Sequence, residues 1–151
     1  MSELKKYRLG FDVWGLVLFL AVMAPNFIWF AVPARNDVLR TESVTPAVDI
    51  VASVCQVMLV ACLCFVVRKE RRRLRLSALV IATLVCLAVY YASWVLYWCG
   101  IADWWVILTL TVPPCAAFIL FAADRGNLPS LVFASLFTVC HLIFGIYNFM
   151  I

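Results

Sequence analysis

Five long apolar segments alternate with short polar connections along the chain. A helix crosses the hydrocarbon core of a bilayer with about 20 predominantly apolar residues, and each of the five segments is long enough to do so. The predicted spans are residues 13–32, 47–67, 76–98, 104–122 and 128–150. The pattern predicts an all-α integral membrane protein, a five-transmembrane-helix bundle in which residues 1–151 form a single transmembrane domain.

The overall composition supports the membrane assignment. The chain is 67% hydrophobic and 13% charged, whereas soluble domains are about 45–50% apolar and about 25% charged. The first apolar run is longer than the core of a signal peptide, and no small-residue cleavage site follows it. We therefore expect residues 13–32 to be retained as the first span.

Basic residues are distributed very unevenly over the connections. The segment 68–75, here called the basic segment, contains six of the twelve Lys and Arg residues. Five alternating spans place ten basic residues on the side of the N-terminus and only Arg35 and Arg40 on the other side. Because Lys and Arg near span ends stay in the cytoplasm, we expect a cytoplasmic N-terminus and a C-terminus outside.

The basic segment also suggests the surroundings of the protein. Clustered Lys and Arg next to a span attract anionic lipid head groups, so we expect Arg68–Arg75 to contact them. Outside the spans, no basic patch with interleaved aromatic residues is present to bind nucleic acid. The small size and the lack of a eukaryotic sorting signal favour the plasma (cytoplasmic) membrane of a bacterium.

Polar residues within the spans recur at helical spacing. Asp49, Ser53 and Gln56 share one face of the second span, and His141 belongs to a small and polar stripe on the fifth. When the alternating direction of the helices is included, the polar groups of all five spans lie in the middle or outer half of the membrane. The candidate ligand-binding residues are Asn26, Asp49, Ser53, Gln56, Tyr90, Trp94, Tyr97, His141 and Asn148.

These residues admit two interpretations. Intramembrane polar groups often line a cavity, so they can form an outward-facing polar and aromatic site for a small or lipid-like molecule. Small and polar residues also hold transmembrane helices together, so the same stripes can be contacts within a homo-oligomer or with a membrane partner. An Asp49–His141 pair fits the first interpretation. The polar connection 33–46 is either a lid over the cavity or a solvated link.

Other chemistry is weakly represented. A single histidine without a second ligand is not a metal site, no cofactor motif occurs, and no nucleophile–base or two-carboxylate arrangement indicates an enzyme. The seven cysteines lie mostly within apolar runs, so we expect free thiols. Pro113–Pro114 removes two amide donors and should bend or open the fourth helix.

In length, span number and tryptophan content the chain resembles the translocator protein family, whose members have five helices and bind apolar ligands such as porphyrins and sterols. The Trp/Pro-rich signature of that family has no counterpart in Tyr90-Tyr91-Ala92-Ser93-Trp94, so no residue roles carry over. Three functions are therefore retained: binding or transport of a small molecule, a non-catalytic accessory or oligomerising subunit, and an intramembrane enzyme.

Overall fold

Five membrane-length helices make up most of the protein, as shown by a computed structural model that describes residues 3–70 and 73–151. The helices are α1 (Val13–Ala31), α2 (Pro46–Phe65), α3 (Ala78–Trp98), α4 (Trp104–Asp124) and α5 (Leu128–Phe149). Each is long and apolar enough to span a membrane. The predicted five-helix bundle is confirmed, and the length and composition of its helices are consistent with a multi-pass membrane protein. Arg71 and Arg72 of the basic segment lie outside the described residues.

Helix boundaries agree with the predicted spans to within about two residues, and local capping explains several of them. Asp12 accepts a hydrogen bond from Trp14 N before α1, and Ser77 accepts one from Val80 N before α3. Such side-chain acceptors satisfy amide groups that the first helical turn leaves without partners.

The end of the second span differs from the expectation. α2 ends at Phe65, and strand β2 (Val66–Arg68) pairs antiparallel with strand β1 (Tyr7–Leu9). The apolar Val66–Val67 pair extended the predicted span, because apolarity alone does not distinguish a helix end from a short strand.

The helices surround a central space in the order α1–α2–α5–α4–α3. The main packed pairs are α3 with α4, α2 with α5 and α4 with α5, whereas α1 closes the ring through lighter contacts with α2 and α3. α4 is the most deeply buried helix. Gly15 allows α1 to reach α2, since an added Cβ would lie only 2.6 Å from the Leu63 carbonyl oxygen.

One end of the bundle, here called the ribbon end, joins the N-terminal segment to the α2–α3 and α4–α5 connections. Arg125 Nε donates to Asp12 Oδ2 at 2.9 Å, and Tyr7 OH donates to Gly126 O at 2.9 Å. Asn127 Nδ2 donates to the Cys62 and Val66 carbonyls at 2.9 and 2.8 Å. These bonds fasten the end that carries most of the basic residues.

The opposite end, here called the loop end, contains the α1–α2 connection, the α3–α4 connection and the C-terminus. Val44 N donates to Asn148 Oδ1 at 2.7 Å, and Leu39 N donates to Tyr97 OH at 3.1 Å. The N- and C-termini therefore lie at opposite ends of the bundle, as an odd number of spans requires.

Candidate functional site

A cavity of about 440 Å³ lies inside the bundle and is lined by residues of all five helices. Seven of the nine residues selected from the sequence line it. These are Asn26, Asp49, Ser53, Gln56, Tyr90, Trp94 and His141. Periodicity and depth therefore grouped most of the polar wall correctly, although whether these residues bind a ligand stays a prediction.

Aromatic rings supply much of the remaining wall and were not selected from the sequence. The aromatic lining residues beyond Tyr90 and Trp94 are Trp29, Phe30, Phe118, Phe137, Phe144 and Phe149. Some were recognisable by spacing: Phe137 and Phe144 flank His141 at four and three residues, and Trp29 follows Asn26 by three. Spacing alone does not single them out, because an aromatic ring in a span usually faces lipid or packs in the core.

His141 presents its imidazole to the cavity from within a stack of rings on α5. Its ring centroid lies 5.0 Å from that of Phe137 and 6.0 Å from that of Phe144, with interplanar angles of 18° and 11°. Neither ring nitrogen has a hydrogen-bond partner in the part of the chain that the structure describes. The stack fixes the ring plane and leaves the nitrogens available to a ligand or to water.

The polar face of α2 forms another wall. Ser53 Oγ donates to the Asp49 carbonyl at 2.8 Å, which is a bond within the helix. Asp49 Oδ1 accepts from Thr45 Oγ1 at 3.2 Å. The Gln56 amide lines the cavity without a hydrogen-bond partner among the described residues. Gln56 and Asp49 Oδ2 thus retain unused hydrogen-bonding capacity.

Asn148 does not line the cavity, contrary to the prediction. Its Nδ2 donates to Thr45 Oγ1 at 2.9 Å and its Oδ1 accepts from Val44 N. The side chain is used to tie the last turn of α5 to the start of α2. It is linked to Asp49 through Thr45, because Thr45 Oγ1 accepts from Asn148 Nδ2 and donates to Asp49 Oδ1.

The Asp49 carboxylate and the His141 ring are on the same cavity, but no hydrogen bond or ion pair joins them in the structure. The two groups line the same cavity and interact only through their charges, without a direct contact. The predicted pairing of these two side chains is not present as a direct contact.

The α1–α3 wall is organised around Pro25. Proline has no N–H, so the Ala21 carbonyl one turn earlier loses its helical partner; Tyr91 OH donates to that carbonyl at 2.7 Å. Tyr90 OH and Asn26 Nδ2 both donate to the next carbonyl, Val22 O, at 3.1 Å. The two adjacent tyrosines satisfy the backbone where proline interrupts the hydrogen-bond ladder.

Trp94 is almost fully buried, with 3% of its surface exposed. Its Nε1 has no hydrogen-bond partner among the described residues and lies beside the Tyr90 hydroxyl without reaching hydrogen-bond geometry. A buried donor without a partner costs about 1–3 kcal/mol. The nitrogen has almost no accessible surface, so this donor is buried beside the Tyr90 hydroxyl and is not open to the cavity.

Tyr97 also lies away from the cavity wall. It is fully buried, and its hydroxyl donates to Asp37 Oδ1 at 2.9 Å. Asp37 accepts three further hydrogen bonds, from Trp29 Nε1 at 2.8 Å, Arg40 Nε at 2.7 Å and Ala34 N at 3.3 Å. The predicted ligand contact of Tyr97 is replaced by a structural one, because the hydroxyl reaches past the cavity to the α1–α2 connection.

Asp37 therefore anchors the connection to the bundle. Burial opposes its ionisation, but the hydrogen bonds from Trp29, Arg40, Tyr97 and Ala34 together hold the pKa of the Asp37 carboxyl below its usual value. The anchored segment places the Leu39 side chain on the cavity wall. Of the two expectations for this connection, the lid agrees with its contacts better than the solvated link does.

α4 runs as one helix through Pro113 and Pro114, so this helix does not open there; the alternative expectation, a bend, stays a prediction. Pro114 faces the cavity together with Leu110, Thr111 and Cys115. All seven cysteines are free thiols in the structure. Within residues 3–70 and 73–151, no three His, Cys, Asp or Glu side chains cluster as a metal site would require.

Comparison with protein-family models, with curated proteins and with solved structures finds no match to this chain. The resemblance to the translocator protein family therefore rests on length, span number and tryptophan content alone.

Proposed function

We propose that this membrane protein binds, and in doing so sequesters or transports, a small amphipathic molecule in the cavity between its helices. The observation that carries this proposal is the convergence of unsatisfied polar groups on one apolar space. The Gln56 amide and the His141 ring both line it without hydrogen-bond partners in the described chain, and Asp49 Oδ2 adds an acceptor that is likewise unused there. In a bilayer such groups need partners.

The shape and chemistry of the cavity support a small-molecule site. Ligand pockets typically enclose about 300–1,000 Å³ and combine a mainly apolar and aromatic wall with a few placed polar groups. A volume of about 440 Å³ with ring faces on several sides fits that description.

The direction of the polar stripes favours a cavity over an oligomer contact. On α5, Gly145 packs against Thr111 of α4, His141 faces the cavity and Asn148 bonds to Thr45. The stripe is used inside one chain, so it leaves little polar surface for a partner. The alternative function, an accessory subunit, was suggested by the polar stripes as contacts with a partner, and the stripe on α5 makes contacts within one chain instead.

A binding role is also better supported than an enzymatic one. Asp49 and His141, two titratable side chains of the polar wall, make no hydrogen bond or ion pair with each other, so they form no preassembled acid–base pair that would support an enzymatic role.

We further propose that the ribbon end faces the cytoplasm of a bacterial cell, next to anionic lipid head groups. The ribbon end carries the described basic residues Arg68, Lys69, Arg73 and Arg75 together with the N-terminal lysines. Positive charge at span ends resists translocation and attracts anionic lipid. The cavity and its loop-end lid then face outward.

Native mass spectrometry of the protein purified in a mild detergent tests the binding proposal. A molecule in the cavity should be retained as a discrete added mass. His141→Ala and Gln56→Leu should reduce that adduct, because each removes a polar group from the cavity wall; His141→Ala also removes the ring stacked between Phe137 and Phe144. Ser135→Ala is the matched control, since Ser135 is exposed on α5 and bonds only to the Leu131 carbonyl.

A variant that fills the cavity tests independently whether the ligand binds there. Ala52 is buried on the cavity wall, so Ala52→Phe should exclude the ligand. Retention of the same adduct in Ala52→Phe would contradict the proposal. If His141→Ala and Gln56→Leu instead change only thermal stability or oligomeric state, the stripes are packing contacts.

A further inference from the structure

The cavity wall carries a single formal charge. Among the residues that the structure describes, Asp49 is the only Asp, Glu, Lys or Arg that lines it. Arg40, the cation of the overlying connection, is engaged with Asp37 and lies over the Trp29 ring at 4.7 Å from the centroid. The charge of Asp49 is therefore not neutralised by a basic side chain within the cavity.

The Asp49 carboxylate is oriented rather than free to turn. Asn148 donates to Thr45, and Thr45 donates to Asp49 Oδ1. The second oxygen, Oδ2, has no partner among the described residues. Asp49 is also in the first turn of α2, where the helix dipole favours a negative charge. One carboxylate oxygen is thus fixed and the other is left for a ligand.

The rest of the wall is suited to a positive charge. The faces of aromatic rings attract cations, most strongly when water is excluded, and Phe30, Phe144 and Phe149 belong to the same lining as Asp49. An anion in the cavity would meet the Asp49 carboxylate, with no Lys or Arg among the described lining residues to offset it.

Resting on the proposed function, we infer that the cavity selects cationic amphiphiles: organic cations whose charge lies near Asp49 and whose aromatic or alkyl body fills the space between α1, α3 and α5. Asn26 Oδ1, which has no hydrogen-bond partner among the described residues, adds an acceptor for a protonated amine. The wall distinguishes ligands by the sign of their charge, in addition to their size.

Tetraphenylphosphonium and tetraphenylborate test this inference, because they have nearly the same shape and opposite charge. Their binding to the purified protein is measured by equilibrium dialysis in a non-ionic maltoside detergent. We expect the cation to bind at least tenfold more tightly than the anion. Asp49→Asn should weaken cation binding at least tenfold, which is about 1.4 kcal/mol, and should reduce the difference between the two ions.

Asp103→Asn is the matched control. It makes the same change of charge at the same end of the bundle, at an exposed residue that precedes α4, does not line the cavity and makes no capping bond. It should leave cation binding unchanged. The comparison of the two ions on the unaltered protein stands even if Asp49→Asn lowers folding yield.

The possible failures are distinguishable. If both ions bind equally and Asp49→Asn changes neither, the charge selectivity is wrong while binding in the cavity stands, provided that Ala52→Phe abolishes both. If neither ion binds but the neutral probe diphenylhexatriene is bound by the protein and lost in Ala52→Phe, the inference fails alone. If none of the three probes is bound, the inference and the proposed function fail together.

Discussion

The anchoring of the α1–α2 connection by Asp37 predicts a large effect for a change of very few atoms. Asp37→Asn keeps an oxygen that can still accept from Trp29 and Tyr97. It replaces Oδ2 with an amino group that faces two donors, Arg40 Nε and Ala34 N. The two donors lose their acceptor, and the connection should detach from the loop end.

The magnitude follows from these contacts. Hydrogen bonds to a charged group contribute about 1.5–3 kcal/mol each, but the Arg40 side chain is 41% exposed, so solvent reduces its share to about 0–1 kcal/mol. The bond from Ala34 N is long, and the two bonds that remain weaken because charge-assisted bonds are roughly twice as strong as neutral ones. We expect Asp37→Asn to lower the free energy of unfolding by about 2–3 kcal/mol.

The effect should depend on pH in a defined direction. The pKa of Asp37 is lower in the folded protein than in the unfolded chain, where it is about 3.9. Its contribution to stability is therefore complete above about pH 4 and is lost as the pH falls through the folded value. Asp37→Asn has no ionisable group at this position. The variant should therefore be less stable at neutral pH and should lack the part of the acid destabilisation that protonation of Asp37 causes.

Unfolding in mixed micelles by titration with SDS, followed by tryptophan fluorescence at neutral pH, measures the free-energy change; thermal unfolding across the acid range measures the pH dependence. Glu42→Gln is the control, because Glu42 is an exposed carboxylate of the same connection with no hydrogen bond in the structure. Equal stability of Asp37→Asn and the unaltered protein at neutral pH would refute the anchoring role.

Three further outcomes follow from the structure. Gly15→Ala should destabilise the protein in the same SDS titration, because its Cβ would lie 2.6 Å from the backbone oxygen of Leu63; an unchanged midpoint would show that α1 can move away from α2 at little cost. Tyr91→Phe should lower the free energy of unfolding by about 1–2 kcal/mol, because the Ala21 carbonyl loses its donor. The same change should have a much smaller effect in a Pro25→Ala variant, because the amide of the introduced alanine would restore the helical hydrogen bond to that carbonyl. An equal loss of stability from Tyr91→Phe with Pro25 and with Pro25→Ala would contradict the assignment of Tyr91 as the replacement donor for the amide that Pro25 lacks. Reporter fusions within the α2–α3 connection and at the C-terminus should report opposite sides of the membrane, with the former cytoplasmic; two reports from one side would mean that a span is miscounted.

The sequence pattern was sufficient to predict features that depend on neighbouring residues alone, such as the helices and the faces that their side chains share. A span is recognisable from sequence because a membrane-crossing helix must be predominantly apolar over a fixed length, so five helices were predicted with small boundary errors. The shared face of Asp49, Ser53 and Gln56 follows from helix geometry alone. The uneven distribution of basic residues likewise predicts an orientation without any tertiary information.

Contacts between distant segments decided the rest. The sequence does not state that α5 packs between α2 and α4, so it could not show that Asn148 would bond to Thr45 or that Tyr97 would reach Asp37. The pairing of Tyr7–Leu9 with Val66–Arg68 could not be predicted from the sequence either, because it joins segments that are far apart along the chain.

The same limit applies to the site. Helical periodicity tells which side chains share a face of one helix, but a cavity depends on the order and tilt of five helices, which packing determines. The sequence by itself determined a five-helix membrane protein with polar groups at similar depth. Only the tertiary structure decided that Asn26, Gln56 and His141 face one enclosed space, because that depends on which helices are neighbours.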